Sequence, residues 1–387
     1  MFSMFGVTRK KRIVAVADIG SGSAACAIVE IHPHGPAIVL ESSRMTLPIE
    51  ERTTDASIAG IMGKLVEAGN EVLKSYSAKH ANGMPHIDSV HAVIRAPWTS
   101  ARSLQAATTF DKPTVVTAVT IDKLAKEALA RIGTADKSDF LDAGVVRVQL
   151  DGYPTKHPVG KRVRQVVVTV VVSACDVAMK SAAEKALGNV FPHVPITMRS
   201  STRATLAVLR ETLSIPNYLV IDMGSTGTSM AVVRNGVASE QAIVQDGIHT
   251  ILKRSANGLI PEETLTLIRM LSRGHCDDDA CKKFEASFAA VEPEIVRIMG
   301  EALSALSSTD KLPNRLILVA HPDVAPWLSK FFSRIDFAQF TETFQPFSVA
   351  TVTPRDMSSL VEPGPHAAVD CAICIAAAVV NIETQSR

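Results

Sequence analysis

The same pattern occurs twice, far apart in the chain. "IVAVADIGSGSAACAIVEI" runs from Ile13 to Ile31, and "LVIDMGSTGTSMAVVRNG" runs from Leu219 to Gly236. In each, an apolar strand ends in an acid, a turn of glycine and hydroxyl residues follows, and a second apolar strand leaves. The cores align without gaps as strand–Asp–x–Gly–Ser–x–x–strand. A duplication at this range commits the chain to two related halves. Runs such as "IVAVA" and "YLVI" suit strands buried on both faces. One copy alone reads as a tight hairpin in which Asp and Gly serve the turn. Two copies point instead to a two-sided phosphate clamp.

The chemistry of such a clamp follows from its residue types. Gly20 and Gly22 in one hairpin, and Gly224 and Gly227 in the other, let backbone N–H groups come close to a ligand. Ser21, Ser23, Ser225, Thr226 and Thr228 are candidate donors to phosphate oxygens. Asp18 and Asp222 cannot lie against phosphate without a cation between, so they are the candidate Mg²⁺ residues, acting through water.

The remaining stretches divide the chain. A chain of 387 residues is long enough for two to four compact units. A strand over 37–45 pairs back on the first hairpin through the "HPHGP" turn, and a helix over 55–79 follows, capped by Asp55 or Ser57. From Met84 a small α+β module reads strand, helix, strand, strand, helix, covering roughly 85–190. Its third strand holds the valine-rich run 166–172. A helix starting in "SSTRATLAVL" precedes the second hairpin. Residues 247–310 read as nearly all helical, "NRLILVAHPDVAPWLSKFF" as strand, turn and helix, and 366–382 as a last helix.

Composition narrows the function classes. Hydrophobic residues make up 47% and charged residues 20%, so the chain folds, and a net charge of +1 lacks the basic excess of a nucleic-acid binder. Six scattered cysteines suit reduced thiols. The pair Cys276/Cys281 lacks a second ligand pair at zinc spacing, and Cys371/Cys374 lies in the apolar run "AAVDCAICIAAAVVNI", which reads as a buried helix. No run reaches the length of a membrane span, and the order of charges in "MFSMFGVTRKKR" is not that of a secretory signal. Phe2, Met4 and Phe5 beside Arg9–Arg12 suit a frayed terminus better than a membrane contact.

On these hairpins the chain resembles the actin-like ATPase superfamily, with "DIGSGS" similar to its first phosphate loop and "DMGSTGTS" to its second. The resemblance implies an α/β, actin-like (ribonuclease H-like) two-lobed fold around a nucleotide cleft, with ATP and Mg²⁺ as cofactors. The module at 85–190, "LDGYPTKHPVGKRV" and "IVQDGIHTILKRSANGLIPEET" resemble the FtsA/PilM branch. That implies residues 1–84 and 191–215 as the first lobe, 85–190 as an FtsA-type insertion, 216–250 and 311–387 as the second lobe, and 251–310 as a helical upper insertion.

The departures bear on mechanism. Ala320, His321 and Pro322 stand where the adenosine-side glycines are expected, Ser229 replaces a later acid, and "RSSTRATLAVL" offers no acid or amide to orient water. The expectation is therefore a weak ATPase at most. By resemblance the chain is an FtsA-like filament-forming scaffold of cell division, cytoplasmic or peripheral on the inner face of the membrane. It would bind the acidic tail of the tubulin-like division protein FtsZ on 251–310, through Lys253, Arg254, Arg269 and Arg273. The alternative is a PilM-like platform of type IV pilus assembly, in which the cleft between first lobe and insertion takes the cytoplasmic peptide of an inner-membrane pilus protein. The valine-rich strand 166–172 is a candidate subunit contact.

Overall fold

The computed structural model describes residues 11–79, 86–132, 140–155, 157–256, 260–272, 275, 279–365 and 367–385. The expectations for the N-terminal "MFSMFGVTRK", for Met84, for Arg273 and for Cys276 lie outside these residues, as does the side chain of Cys281.

Both repeats form antiparallel hairpins. In the first, β1 (Arg12–Ile19) pairs with β2 (Ser23–Ile31), which sets Asp18 opposite Ala25, and β2 pairs with β3 (Ala37–Thr46). In the second, β10 (Tyr218–Met223) pairs with β11 (Thr228–Arg234), which sets Asp222 opposite Ser229, and β11 pairs with β12 (Val237–Val244). Each hairpin then gains parallel strands on its other side. The first takes β4 (Val90–Ile94) and β9 (Ile196–Ser200); the second takes β13 (Arg315–Val319) and β14 (Ser348–Thr351). The two sheets thus share one order, β3-β2-β1-β4-β9 and β12-β11-β10-β13-β14. The duplication seen in the hairpins is a duplication of whole lobes.

The alternation along β1 explains its unbroken apolar run. Val14 and Val16 face one core, Ala15, Ala17 and Ile19 another, because successive side chains leave opposite faces of a strand. On the outer face of the first sheet lie α1 (Thr54–Lys79) and α3 (Val177–Val190). Between the lobes lie α4 (Ser201–Thr212) and α9 (Cys371–Gln385), with Val208, Ala377 and Val379 in one core with Val220 and Val319 of the second sheet. The outer face of the second sheet carries α5 (Ile248–Ser255), α6 (Pro261–Ser272), α7 (Asp279–Leu306) and α8 (Ala325–Phe332).

The insertion is smaller than its expected 85–190. The strand in "HIDSVHAVIRAP" is β4, which belongs to the first-lobe sheet, and α3 packs on α1. What remains is a four-stranded sheet, β5-β8-β6-β7, formed by β5 (Thr99–Val115), β6 (Phe140–Leu150), β7 (Tyr153–Thr155) and β8 (Arg162–Cys175), with α2 (Ala118–Ala130) against it. The 17-residue β5 escapes the sequence reading because its alternation is of small and polar residues. The chain end also departs from 311–387 as second lobe: β15 (Val361–Pro363) pairs with β3 of the first. The valine-rich run sits in β8, between β5 and β6, with Val166, Val168 and Val170–Val172 buried. A central buried strand offers no edge to another subunit, so the contact expected there is not available. The cap of α1 is Thr53, whose Oγ1 accepts from Ala56 N at 3.3 Å, rather than Asp55 or Ser57.

Candidate functional site: an interlobe charge cluster and a groove beside it

The ends of β1 and β10 bring Asp18 and Asp222 to the seam between the lobes, as the repeat implies. A residue the sequence reading missed joins them. Arg95, just past the end of β4, donates from Nε to Asp18 Oδ1 at 2.6 Å and from Nη1 to both oxygens of Asp222 at 2.8 and 2.9 Å. A second arginine lies behind it. Arg44 of β3 donates from Nη2 to Asp18 Oδ2 at 3.0 Å, from Nη1 to Ser23 Oγ at 2.8 Å, and from Nε to Asp370 Oδ2 at 2.7 Å. Asp18, Asp222 and Arg95 are 1%, 5% and 9% exposed. Asp370 also receives Ile373 N and so caps α9.

Burial opposes the charge on Arg95, but Asp18 and Asp222 outweigh it and raise its pKa above the ordinary arginine value. Burial raises Asp222 above the ordinary carboxylate value, with the Arg95 charge pulling it down and Asp18 pushing it up again. With a permanently charged guanidinium bidentate on the carboxylate, the ionised pair is the state this geometry holds. Burial raises Asp370 as well, yet Arg44 holds it below the usual carboxylate range.

The hydroxyl and glycine positions meet each other rather than an open space. Ser21 Oγ accepts from Thr226 N across the seam at 2.9 Å. A Cβ on Gly22 would lie 2.3 Å from Ser225 Oγ and 2.5 Å from His249 Cε1. A Cβ on Gly227 would lie 2.7 Å from Pro97 N, and Gly224 N donates to Gly227 O at 2.9 Å. Gly20 N donates to Ser23 O at 3.0 Å, and Thr228 Oγ1 donates to Asp246 O at 2.7 Å. The first amides of α5, at Ile248 and His249, donate to Gly224 O and Ser225 O.

This donor set does not fit the expected Mg²⁺. Magnesium needs near-octahedral oxygen ligands at about 2.0–2.1 Å, whereas here guanidinium N–H groups occupy the lone pairs of Asp18 and Asp222. Nor do the hairpins face each other across the width of a phosphate. At the adenosine-side turn His321 Nδ1 accepts from Asp323 N at 3.3 Å, and His321 and Pro322 are exposed.

The basic residues expected to receive an acidic tail have partners in the chain. Arg254 lies 3.6 Å from Asp246 and 3.5 Å from Glu294, Lys253 lies 3.9 Å from Glu51, and Arg269 pairs with Asp323.

A groove of about 1100 Å³ opens between the insertion, the first lobe and the edge of the second. Its apolar wall includes Val145, Val171, Met198, Leu206, Val379 and Ile382. Its polar end holds Arg199 and Arg203: Arg199 Nε donates to Glu383 at 2.8 Å, and Arg203 Nη1 lies 3.0 Å from Asp142 Oδ2. That approach is off the hydrogen-bond angle, so both Asp142 oxygens, at a residue 8% exposed, have no hydrogen-bond donor. One floor of the groove is β6. Over Phe140–Leu150 it pairs with β8, but β7 covers only Val148–Leu150 on the other side. The remaining half-edge is unpaired among the described residues.

No protein-family model matches the sequence, and no curated protein does. Solved structures do match. A PilM–PilN type IV pilus biogenesis complex gives a TM-score of 0.56 at 14% identity, covering 96% of this chain and 98% of that one. The ethanolamine utilization protein EutJ from Carboxydothermus hydrogenoformans gives 0.44 at 11% identity over 97% and 91%. A MamK double helical filament gives 0.43 at 11% over 95% and 98%. At these identities the likeness speaks to the fold. The expected architecture stands: this chain has the actin-like ATPase fold, similar along its whole length to PilM.

Proposed function

We propose that this chain is a PilM-like platform of pilus assembly, whose groove holds an extended cytoplasmic peptide of an inner-membrane pilus protein. The observation that carries the reading is the half-covered edge of β6 above an apolar groove. An unpaired strand edge is a template for a further strand, with main-chain bonds giving affinity and side pockets giving register. At about 1100 Å³ the groove exceeds the ~300–1,000 Å³ usual for small ligands. The Asp142 oxygens, ion-paired with Arg203 but without a hydrogen-bond donor, can accept a peptide N–H beside the apolar side chains.

The length match on both chains to PilM supports this reading. The cell-division reading, favoured on sequence motifs, has no such support, and the internal ion pairs of Lys253, Arg254 and Arg269 weigh against a tail-binding patch. Within the described residues no helix is long and apolar enough to cross a membrane. In this reading the membrane is reached through the bound peptide.

Fluorescence polarisation tests it. Two labelled peptides are offered to the full chain: the cytoplasmic start of the host's pilus inner-membrane protein, and the acidic tail of its tubulin-like division protein. The first binds, and Val145→Arg, on the β6 edge, weakens it at least tenfold, which is about 1.4 kcal/mol. Binding of the second peptide alone, or pilus-peptide binding indifferent to Val145→Arg, rejects the assignment.

A further inference from the structure

We propose that Arg95, held between Asp18 and Asp222 with Arg44 behind it, is a built-in cation that closes the two lobes in place of a magnesium nucleotide, so that the chain works without ATP. The two arginines bring two positive charges to the three carboxylates Asp18, Asp222 and Asp370, as a divalent cation with its ligands would. Arg95 spans the halves, since Asp18 ends the first-lobe hairpin strand and Asp222 its second-lobe counterpart.

Three further contacts use what a phosphate would need. The Ser21 hydroxyl accepts Thr226 N, so a side chain of one clamp already fills an amide of the other. Gly22 lies against Ser225 and His249 with no room for a methyl group, let alone a phosphoryl group. The amide-rich start of α5, otherwise suited to an anion, is spent on Gly224 O and Ser225 O. Admitting a magnesium nucleotide requires Arg95 to leave, which breaks its bonds to both carboxylates: Asp18 keeps Arg44, and Asp222 is left buried without its guanidinium partner. The glycines and hydroxyls of the two turns let them pack directly on one another.

The test uses the full wild-type chain. Isothermal titration with Mg-ATP, and separately Mg-ADP, is run beside thermal melts with each at about 2 mM. The expected result is no saturable heat and a melting temperature unchanged within about 1 °C, since a ligand of the native state at many times its Kd must raise it. A one-to-one isotherm with Kd below about 100 μM, with a matching rise in melting temperature, overturns the proposal. A second arm replaces the carboxylates. Asp18→Asn and Asp222→Asn each lower the melting temperature by about 4 °C or more, with no rescue by Mg-ATP. Melting unchanged by either substitution, or rescue by Mg-ATP, overturns it too. If a variant fails to fold, the wild-type titration still decides.

Discussion

At the residue scale, the seam between the lobes is a meeting of Asp18 and Asp222 with two arginines from other strands. The sequence placed Asp18, Asp222 and the turn residues at the seam, because a repeated strand–acid–turn has to put equivalent residues at equivalent ends. Nothing in the sequence linked Arg95 or Arg44 to them. Arg95 reaches Asp18 because β4 pairs beside β1, and Arg44 of β3 meets Asp370, which lies 326 residues further along the chain. Glycine tests the packing directly. Gly22→Ala puts a methyl group 2.3 Å from Ser225 Oγ and 2.5 Å from His249 Cε1, and overpacking of this kind costs about 1–3 kcal/mol. Gly63→Ala, exposed in α1 with nothing within 4 Å, gains about 0.5–1 kcal/mol from helix propensity. Urea denaturation of the two variants should move midpoints in opposite directions. A Gly22→Ala midpoint equal to wild type would mean the hairpins are not in contact.

At the element scale, α9 links the two candidate sites. Its first turn is capped by Asp370, a partner of Arg44, and its last turn supplies Ile382 and Glu383 to the groove. The sequence showed an apolar, buried helix in "CAICIAAAVV"; which cores it joins needed both sheets. Burial holds its cysteine thiols in the protonated form. Desolvation raises Cys374 to about 12 and Cys371 further still, and Cys26 on β2 also rises to about 12. At pH 8 a thiol of that pKa is ionised in roughly one molecule in 10⁴. Iodoacetamide at pH 8, followed by peptide mapping, should leave Cys26 and Cys374 unmodified in the native chain and modify both in denaturant. Rapid native labelling of Cys374 would place α9 outside the core. The β6 edge shows a different limit of sequence: a strand's pattern reports which face is buried, but its free edge depends on how far its neighbour extends.

At the scale of the whole molecule, lobe closure and stability are one property. His249, in α5, packs against Gly22 across the seam. Burial, then Lys253, lowers its pKa to about 4, with Glu262 opposing and Arg52 adding to the drop. The unfolded chain takes up that proton near pH 6.5; the folded one resists until about pH 4. The contribution is therefore fully present above pH 6.5 and is lost as pH falls toward 4, up to about 3 kcal/mol, less for a partly exposed ring. Urea midpoints measured from pH 7.5 to 4.5 should fall, and His249→Gln should flatten the curve. An unchanged slope in that variant would remove His249 as the cause. The sequence by itself determined the paired halves and the hairpin at the centre of each, since apolar periodicity and a gapless repeat are local records of a buried strand pair. It set the wrong limits for the insertion, because a strand such as β4 carries no mark of which sheet it joins. Only the tertiary structure decided what lies between the halves. Whether two acids at a seam meet a metal or an arginine depends on side chains brought in from other strands, and that meeting is a long-range contact with no local signature.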